Sequence, residues 1–154
     1  NKVRLKYGHV IECTGVDKDA SGQITAIRAK IFPDSKSGTP GADSYKVKGN
    51  IHWVSCRHAY TGEIRLVDRL FSYPMPGARR EGDAPELERS FMDDINPDSW
   101  SVIKAAMEPS LKDAKPEDRF QFERHGYFVA DLKDMKPGKP VFNRAVGLKD
   151  SWGK

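Results

Sequence analysis

RFQFERHGYFVADL, residues 119–132, decides the fold, because apolar and polar side chains alternate along most of it. One parity holds Phe120, Phe122, Phe128 and Ala130, and the other holds Arg119, Gln121, Glu123 and His125. Successive side chains of a β-strand point to opposite faces. The pattern therefore predicts a strand, kinked near Gly126, with an aromatic core face and a polar outer face.

The polar face has two interpretations. It carries the carboxamide of Gln121 and charges of both signs beside Arg124. It is either the solvated face of an edge strand or a platform that hydrogen-bonds nucleotide edges, and this stretch alone leaves both open.

The remaining chain is also dominated by β patterns, and about eight or nine strands are expected. The other predicted strands lie in 3–13, 24–32, 44–54, 61–73, 101–109 and 140–146. Residues 101–109 are ambiguous, because Ala105 and Ala106 favour a helix whereas Val102 and Ile103 favour a strand, and we prefer a strand. A helical turn is possible at the start of SFMDDINPDSW, with Pro97 limiting its length.

Two stretches rich in proline and glycine separate these patterns. Residues 33–44 predict a loop, and residues 74–88 predict a surface excursion whose acidic groups are solvated. The neighbouring pair Asp93 and Asp94 is interpreted as part of a solvated loop. The chain should divide within residues 72–90 into two β units.

Charge is distributed unevenly, although 26 basic and 22 acidic residues leave a net charge of only +4. Residues 1–70 hold 12 basic and 7 acidic side chains, residues 71–118 hold 6 and 11, and residues 119–154 hold 8 and 4. Basic segments on both sides of an acidic one favour an anionic partner for the ends, such as nucleic acid.

The sequence lacks the short motifs that are typical of several classes of function. No apolar run is long enough to span a membrane. The four histidines have no metal-binding spacing, and neither a phosphate-binding glycine loop nor a nucleophile elbow occurs. Cys13 and Cys56 are far apart, which predicts reduced, packed thiols in a cytosolic protein.

Basic and amide side chains on strands that also carry aromatic residues remain as candidates for binding. They are Arg4, Lys6, Arg65, Arg69, Gln121, Arg124 and Arg144. Planar arginine and glutamine groups match base edges, while lysine suits phosphate. For Arg65, Arg69 and Arg144 we expect pairing with acids of the sheet, such as Glu63 and Asp68.

Five stretches occur in order: KVKGNIHWVS, EIRLVDRLFSYPMPG, INPDS, EPSLKDAKPEDRFQFERHGYFVADL and GKPVFNRAVGLKDSW. They resemble the C-terminal anticodon-binding region of glutaminyl-tRNA synthetase, a class I aminoacyl-tRNA synthetase. The similarity covers essentially the whole chain and is strongest over residues 46–76 and 95–152. Two departures are Val67, where tyrosine is common, and a longer and more acidic excursion at residues 78–90.

The resemblance implies an all-β fold of two small β-barrels, of a ribosomal-protein-like anticodon-binding type. Residues 1–72 would form a nearly complete distal barrel. Residues 73–154 would form a crossover loop and the C-terminal part of a proximal barrel that lacks its first strands. The catalytic domain is expected to be absent, so no cofactor is expected in this chain, whereas the parent enzyme would use ATP and Mg²⁺ to join glutamine to its tRNA.

The resemblance also implies roles for five residues. Arg4 falls where the family reads the first anticodon base, a pyrimidine, and Lys6 would contact phosphate. Gln121 matches the glutamine that contacts the central uracil, and Glu123 and Arg124 would line the same pocket.

The implied partner is the anticodon loop of the glutamine tRNA, bound by a cytoplasmic monomer without membrane or DNA partners. The alternatives are the corresponding region of an archaeal or eukaryotic type of glutamyl-tRNA synthetase, and a stand-alone β-barrel RNA-binding protein. HWVS and FQFER favour the glutamine enzyme. A small hydrolase is the least favoured alternative.

Overall fold

A computed structural model describes residues 1–148, which contain two β-sheets and no α-helix. The chain divides into a first unit, Asn1–Trp53, and a second unit that starts at Val54. The nine strands of the described residues are β1 (Lys2–Leu5), β2 (Val10–Lys18), β3 (Ile24–Phe32), β4 (Gly49–Ile51), β5 (Tyr60–Val67), β6 (Trp100–Met107), β7 (Arg119–Phe122), β8 (Gly126–Ala130) and β9 (Val141–Val146). Short 3₁₀ helices span Pro33–Ser35, Ala42–Ser44, Phe91–Asp94 and Pro109–Asp113. The expected all-β fold of eight or nine strands is confirmed.

The first unit is a four-stranded sheet in the order β3-β2-β1-β4. The β2–β3 hairpin at one edge of the sheet turns at Asp19, whose carboxylate accepts hydrogen bonds from the backbone N–H groups of Ser21 and Gln23 at 2.9 Å each. This side chain stabilises the turn locally, as aspartate commonly does. β4 lies parallel to β1 at the other edge.

The interior of the first unit contains a polar anchor as well as apolar side chains. Val10 and Ser35 are both fully buried. The Ser35 hydroxyl donates to the carbonyl of Phe32 and accepts the N–H of Val10 at 2.7 Å. A buried hydroxyl must find partners, and these two bonds fix the loop after β3 against the start of β2.

The second unit is a five-stranded sheet in the order β6-β5-β9-β8-β7. Neighbouring strands run antiparallel, except that β5 and β9 are parallel. Residues 101–107 of the ambiguous segment 101–109 lie in strand β6, which pairs with β5 along its whole length from Tyr60↔Met107 to Val67↔Trp100. The preference for a strand is therefore confirmed, because this ladder outweighs the local helical propensity of the alanines.

A mixed aromatic and aliphatic core covers one face of this sheet. The buried members are Ile64, Met107, Phe128, Ala130, Met135 and Phe142. Phe120 and Phe122 of β7 pack against them, with ring centroids 5.7 and 5.4 Å from that of Phe142. The predicted core face of residues 119–132 is confirmed.

The two sheets are barrel-like but open, because each has two edge strands in its hydrogen-bonding order. The division between the units falls at Trp53, earlier than the expected boundary at residue 72. The reason is that β5 pairs with β6 and β9, which places residues 60–67 in the second sheet.

The excursion at residues 74–88 contains no strand, as expected, but its acidic groups are not all solvated. Asp83 accepts two hydrogen bonds from the Arg89 guanidinium at 2.7 and 2.8 Å. Asp94 is 3% exposed, pairs with Arg80 and accepts the N–H of Gly77 at 2.9 Å. The expectation of a solvated loop at Asp94 is wrong, because a partner fourteen residues away neutralises the buried carboxylate.

Arg65 is held by three carboxylates of the second unit. Its guanidinium donates to Glu63 at 2.7 Å, to Asp131 at 3.2 Å and to Asp134 at 2.6 Å. The predicted pairing of Arg65 is confirmed. The Asn143 amide, with backbone N–H groups and Arg65, lowers the pKa of Asp131 to about 2.

No helix in residues 1–148 is long and apolar enough to cross a membrane. Cys13 and Cys56 carry free thiols, and both are exposed. The expectation that these thiols are packed is wrong, since each lies on a solvent-facing part of its unit.

Gly126→Ala should destabilise the second unit by about 3 kcal/mol, because Gly126 has φ +140° and an added Cβ would collide with the backbone carbonyl of Val146. Gly138→Ala is the matched control, since Gly138 has φ +80° but open space around it, and it should cost about 1 kcal/mol. Urea unfolding followed by circular dichroism measures both. Equal costs would contradict the steric argument.

Acid should weaken the second unit through Asp131. Its folded pKa of about 2 lies below the unfolded value near 3.9, so its contribution is fully present above pH ~4 and is lost as the pH falls through ~2. Asp131→Asn should flatten the dependence of unfolding free energy on pH between about 4 and 2. Identical slopes for the variant and the parent chain would contradict this assignment.

Candidate nucleic-acid interface

Gln121 lies on the exposed face of β7. Its inward neighbours Phe120 and Phe122 are fixed by the core, so strand alternation directs the carboxamide outward. Gln121 is opposite Tyr127, whose ring is 47% exposed on the same face. Gln121 is exposed, and no side chain within residues 1–148 hydrogen-bonds its amide.

Residues 119–132 form a hairpin rather than one kinked strand. The N–H of His125 donates to the carbonyl of Phe122 at 2.9 Å, which closes a tight turn. Arg124 is the third residue of this turn and has φ +66°. The prediction that Glu123 and His125 continue the strand face of Gln121 is therefore corrected, because both lie in the turn.

The turn places Glu123 and Arg124 directly beyond the strand that carries Gln121. The Arg124 side chain is exposed, whereas Glu123 is half-buried and has a partner within the protein. A non-glycine residue at positive φ costs of order 1–3 kcal/mol, and such residues cluster at functional sites. The three predicted residues of the second unit are thus adjacent at one end of the β7–β8 hairpin.

Arg4 lies on β1 and braces the loop that follows β3. One terminal nitrogen donates to the Ser35 carbonyl at 2.6 Å, and the other donates to the Ala42 carbonyl at 2.8 Å. These bonds fix both 3₁₀ turns of the loop to the strand. The Arg4 side chain therefore has a structural role that its sequence position did not reveal. Only the N–H donors of Arg4 that these bonds leave unused could contact a ligand.

Arg4 also lines an open cavity of about 490 Å³ in the first unit. The other lining residues are Ala42, Asp43, Tyr45, Lys46, Val47 and Lys48. The Tyr45 hydroxyl donates to the Asp34 carboxylate at 2.9 Å, and this bond raises the pKa of Tyr45. Two exposed lysines beside a guanidinium make the cavity suitable for an anionic or base-bearing ligand.

Lys6 follows Arg4 at the end of β1. Its ammonium group lies 5.3 Å from the centre of the Tyr7 ring, and its carbonyl accepts the indole N–H of Trp53 at 3.0 Å. Sequence reasoning selected the lysine but missed the two aromatic residues beside it. The available signal was the aromatic-glycine pair Tyr7-Gly8 directly after an alternating strand.

The five predicted residues fall into two groups. Arg4 and Lys6 belong to the first unit, while Gln121, Glu123 and Arg124 belong to the second. Within residues 1–148, no group of three or more histidine, cysteine, aspartate or glutamate side chains is arranged to hold a metal ion.

Comparison with known proteins identifies the family of the chain. Residues 50–131 match the family of tRNA synthetases class I (E and Q), anti-codon binding domain. Over its whole length, the chain is 67% identical to a glutamine-tRNA ligase from Ralstonia pickettii and 66% identical to one from Cupriavidus necator. Each match covers 25% of the length of the relative. A glutamine-tRNA ligase from Bordetella avium is 53% identical over 99% of the chain and 24% of its own length.

The chain thus spans about a quarter of the length of the curated relatives it matches. The matched residues include the β7–β8 turn and the whole of β7, where Gln121 lies. The match extends over more than half of the chain, and the chain belongs to the anticodon-binding domain family of the class I tRNA synthetases for glutamate and glutamine.

Proposed function

We propose that this chain is the anticodon-binding part of a glutamine-tRNA ligase and binds the anticodon loop of the glutamine tRNA. The observation that carries the proposal is the placement of Gln121, an exposed carboxamide on a rigid strand inside the matched residues 50–131. The names of the relatives, all glutamine-tRNA ligases in the comparisons above, supply the choice of tRNA.

Gln121 has the chemistry to recognise the central uracil of the anticodon. The pairing edge of uracil presents one N–H donor between two carbonyl acceptors, and a carboxamide offers one acceptor and two donors in a single plane. Unpaired bases in RNA loops are commonly read at this edge. Tyr127, opposite Gln121, supplies an aromatic surface on the same face.

Glu123 and Arg124 would line the same pocket. Arg124 is exposed at the tip of the turn, where a cation meets the phosphate that follows a splayed base. A carboxylate at Glu123 accepts hydrogen bonds only, so it favours a base that presents a donor.

Arg4 and Lys6 would act on the first anticodon base. Arg4 keeps donors that the Ser35 and Ala42 carbonyls do not use, and these suit the carbonyl of a pyrimidine. Lys6 is a point charge that suits a phosphate. Lys46 and Lys48 beside the cavity would add further phosphate contacts.

The whole ligase would use ATP and Mg²⁺ in a catalytic domain to join glutamine to its tRNA. This region would contribute recognition rather than chemistry, in the cytoplasm and as a monomer. The electrostatic part of binding depends on Lys6, Arg124 and the exposed lysines, so affinity should fall strongly as salt rises.

A glutamate-tRNA ligase of the archaeal or eukaryotic type is the second candidate, because the matched family includes both enzymes. The two functions differ in the anticodon that is preferred. Binding of the glutamine and glutamate anticodon stem-loops, measured side by side, distinguishes them.

Gln121→Ala should weaken binding of the glutamine anticodon stem-loop by roughly tenfold, because one good base contact contributes about 1–3 kcal/mol. A stem-loop with its central uracil changed should bind the parent chain and the variant equally. Gln23→Ala is the matched control, since Gln23 is an exposed glutamine in the β2–β3 hairpin of the first unit. Fluorescence anisotropy at two salt concentrations provides the affinities, and loss of affinity in both glutamine variants would contradict the assignment.

Arg4→Lys should lower the stability of the first unit by about 1–3 kcal/mol, because the Ser35 and Ala42 carbonyls lose a shared guanidinium. Stem-loop affinity should fall as well, even at temperatures where the variant is fully folded by circular dichroism. Lys46→Gln, at an exposed residue of the same cavity, should leave stability unchanged, weaken binding at low salt and reduce the salt dependence. An Arg4→Lys variant with normal stability would show that the hydrogen bonds from Arg4 to these two carbonyls do not stabilise the first unit.

A further inference from the structure

The turn between β1 and β2 presents an aromatic ring in an uncommon backbone conformation. The N–H of Gly8 donates to the carbonyl of Leu5 at 2.7 Å and closes the turn. Tyr7 is its third residue and has φ +60°, a position that glycine or asparagine normally occupies. Its ring is 69% exposed, so no burial in the core offsets the strain.

The surrounding backbone holds this turn on both sides. The N–H of Lys6 donates to the carbonyl of Ile51 at 2.9 Å, and the N–H of Leu5 donates to the carbonyl of His9 at 2.9 Å. The indole N–H of Trp53 donates to the carbonyl of Lys6 at 3.0 Å. A fixed turn presents the Tyr7 ring in a defined position, which reduces the entropy lost when a ligand stacks on it.

The chemistry beside the ring is that of a single-stranded nucleic-acid site. The ammonium group of Lys6 lies 5.3 Å from the ring centre, and the exposed Trp53 ring packs next to Gly8. Aromatic rings stack on unpaired bases, and neighbouring cations hold the phosphates between them. An exposed ring with a cation beside it thus points to an RNA ligand rather than to internal packing.

We propose that Tyr7 is a stacking platform for one unpaired base of the bound RNA, with Lys6 at the adjacent phosphate. The inference rests on the proposed function and adds to it a residue that recognises the RNA by stacking. Stacking tolerates any base, so Tyr7 contributes affinity for an open loop, whereas Arg4 and Gln121 discriminate between bases.

Because the backbone at Tyr7 is strained, one substitution can remove the ring without lowering the stability of the chain. Asparagine tolerates positive φ and has no ring, so Tyr7→Asn should keep or raise the thermal midpoint of the chain while it removes the platform. Tyr7→Phe keeps the ring. Lys6→Gln removes one charge and should reduce the slope of log affinity against log salt by about 0.7.

The experiment measures anisotropy of a labelled glutamine anticodon stem-loop against the full 154-residue chain and these three variants. Tyr7→Asn should bind roughly 5- to 100-fold more weakly with an unchanged salt slope. Tyr7→Phe should bind as the parent chain does. A fully paired RNA duplex without unpaired bases should not distinguish Tyr7→Asn from the parent chain.

Two results would overturn the assignment while the proposed function stands: normal affinity of Tyr7→Asn for the stem-loop, or a lowered thermal midpoint that accounts for its weaker binding. If the parent chain does not bind the stem-loop at all, both the proposed function and the platform fail.

Discussion

The packing of Phe120 and Phe122 against the fully buried Phe142 is the constraint on which the second unit depends. Side chains alternate along a strand with a period of two, so a shift of β7 by one residue would turn both rings to solvent and Gln121 into the core. The same contacts that bury the rings therefore fix the outward direction of the carboxamide. The polar face has a defined geometry because the opposite face has a defined core.

In the first unit, polar interactions have a larger share in fixing the geometry of the strands and loops. Arg4 joins β1 to the loop after β3 through two backbone carbonyls, and the buried Ser35 hydroxyl joins that loop to β2. The tight turns at Tyr7 and Arg124 are alike, because each has a non-glycine side chain at positive φ in its third position. Each unit thus presents an exposed side chain in a tight turn at the end of a hairpin.

Alternation in the sequence was sufficient to predict the core face of β7 and the outward position of Gln121. These features depend on local periodicity, which the sequence contains directly. The turn at Arg124 could not be predicted, because arginine carries no signal for positive φ. The burial of Asp94 and the brace at Arg4 also escaped prediction, since their partners Arg80, Ser35 and Ala42 lie far along the chain and only the fold brings them together.

The most direct test of the account is a nuclear magnetic resonance titration of the isotopically labelled chain with the glutamine anticodon stem-loop. Amide signals should shift in two segments, residues 4–8 of the first unit and residues 119–127 of the second, and they should shift far less with a loop of changed anticodon. Shifts confined to other surfaces, such as the excursion at residues 74–88, would contradict it.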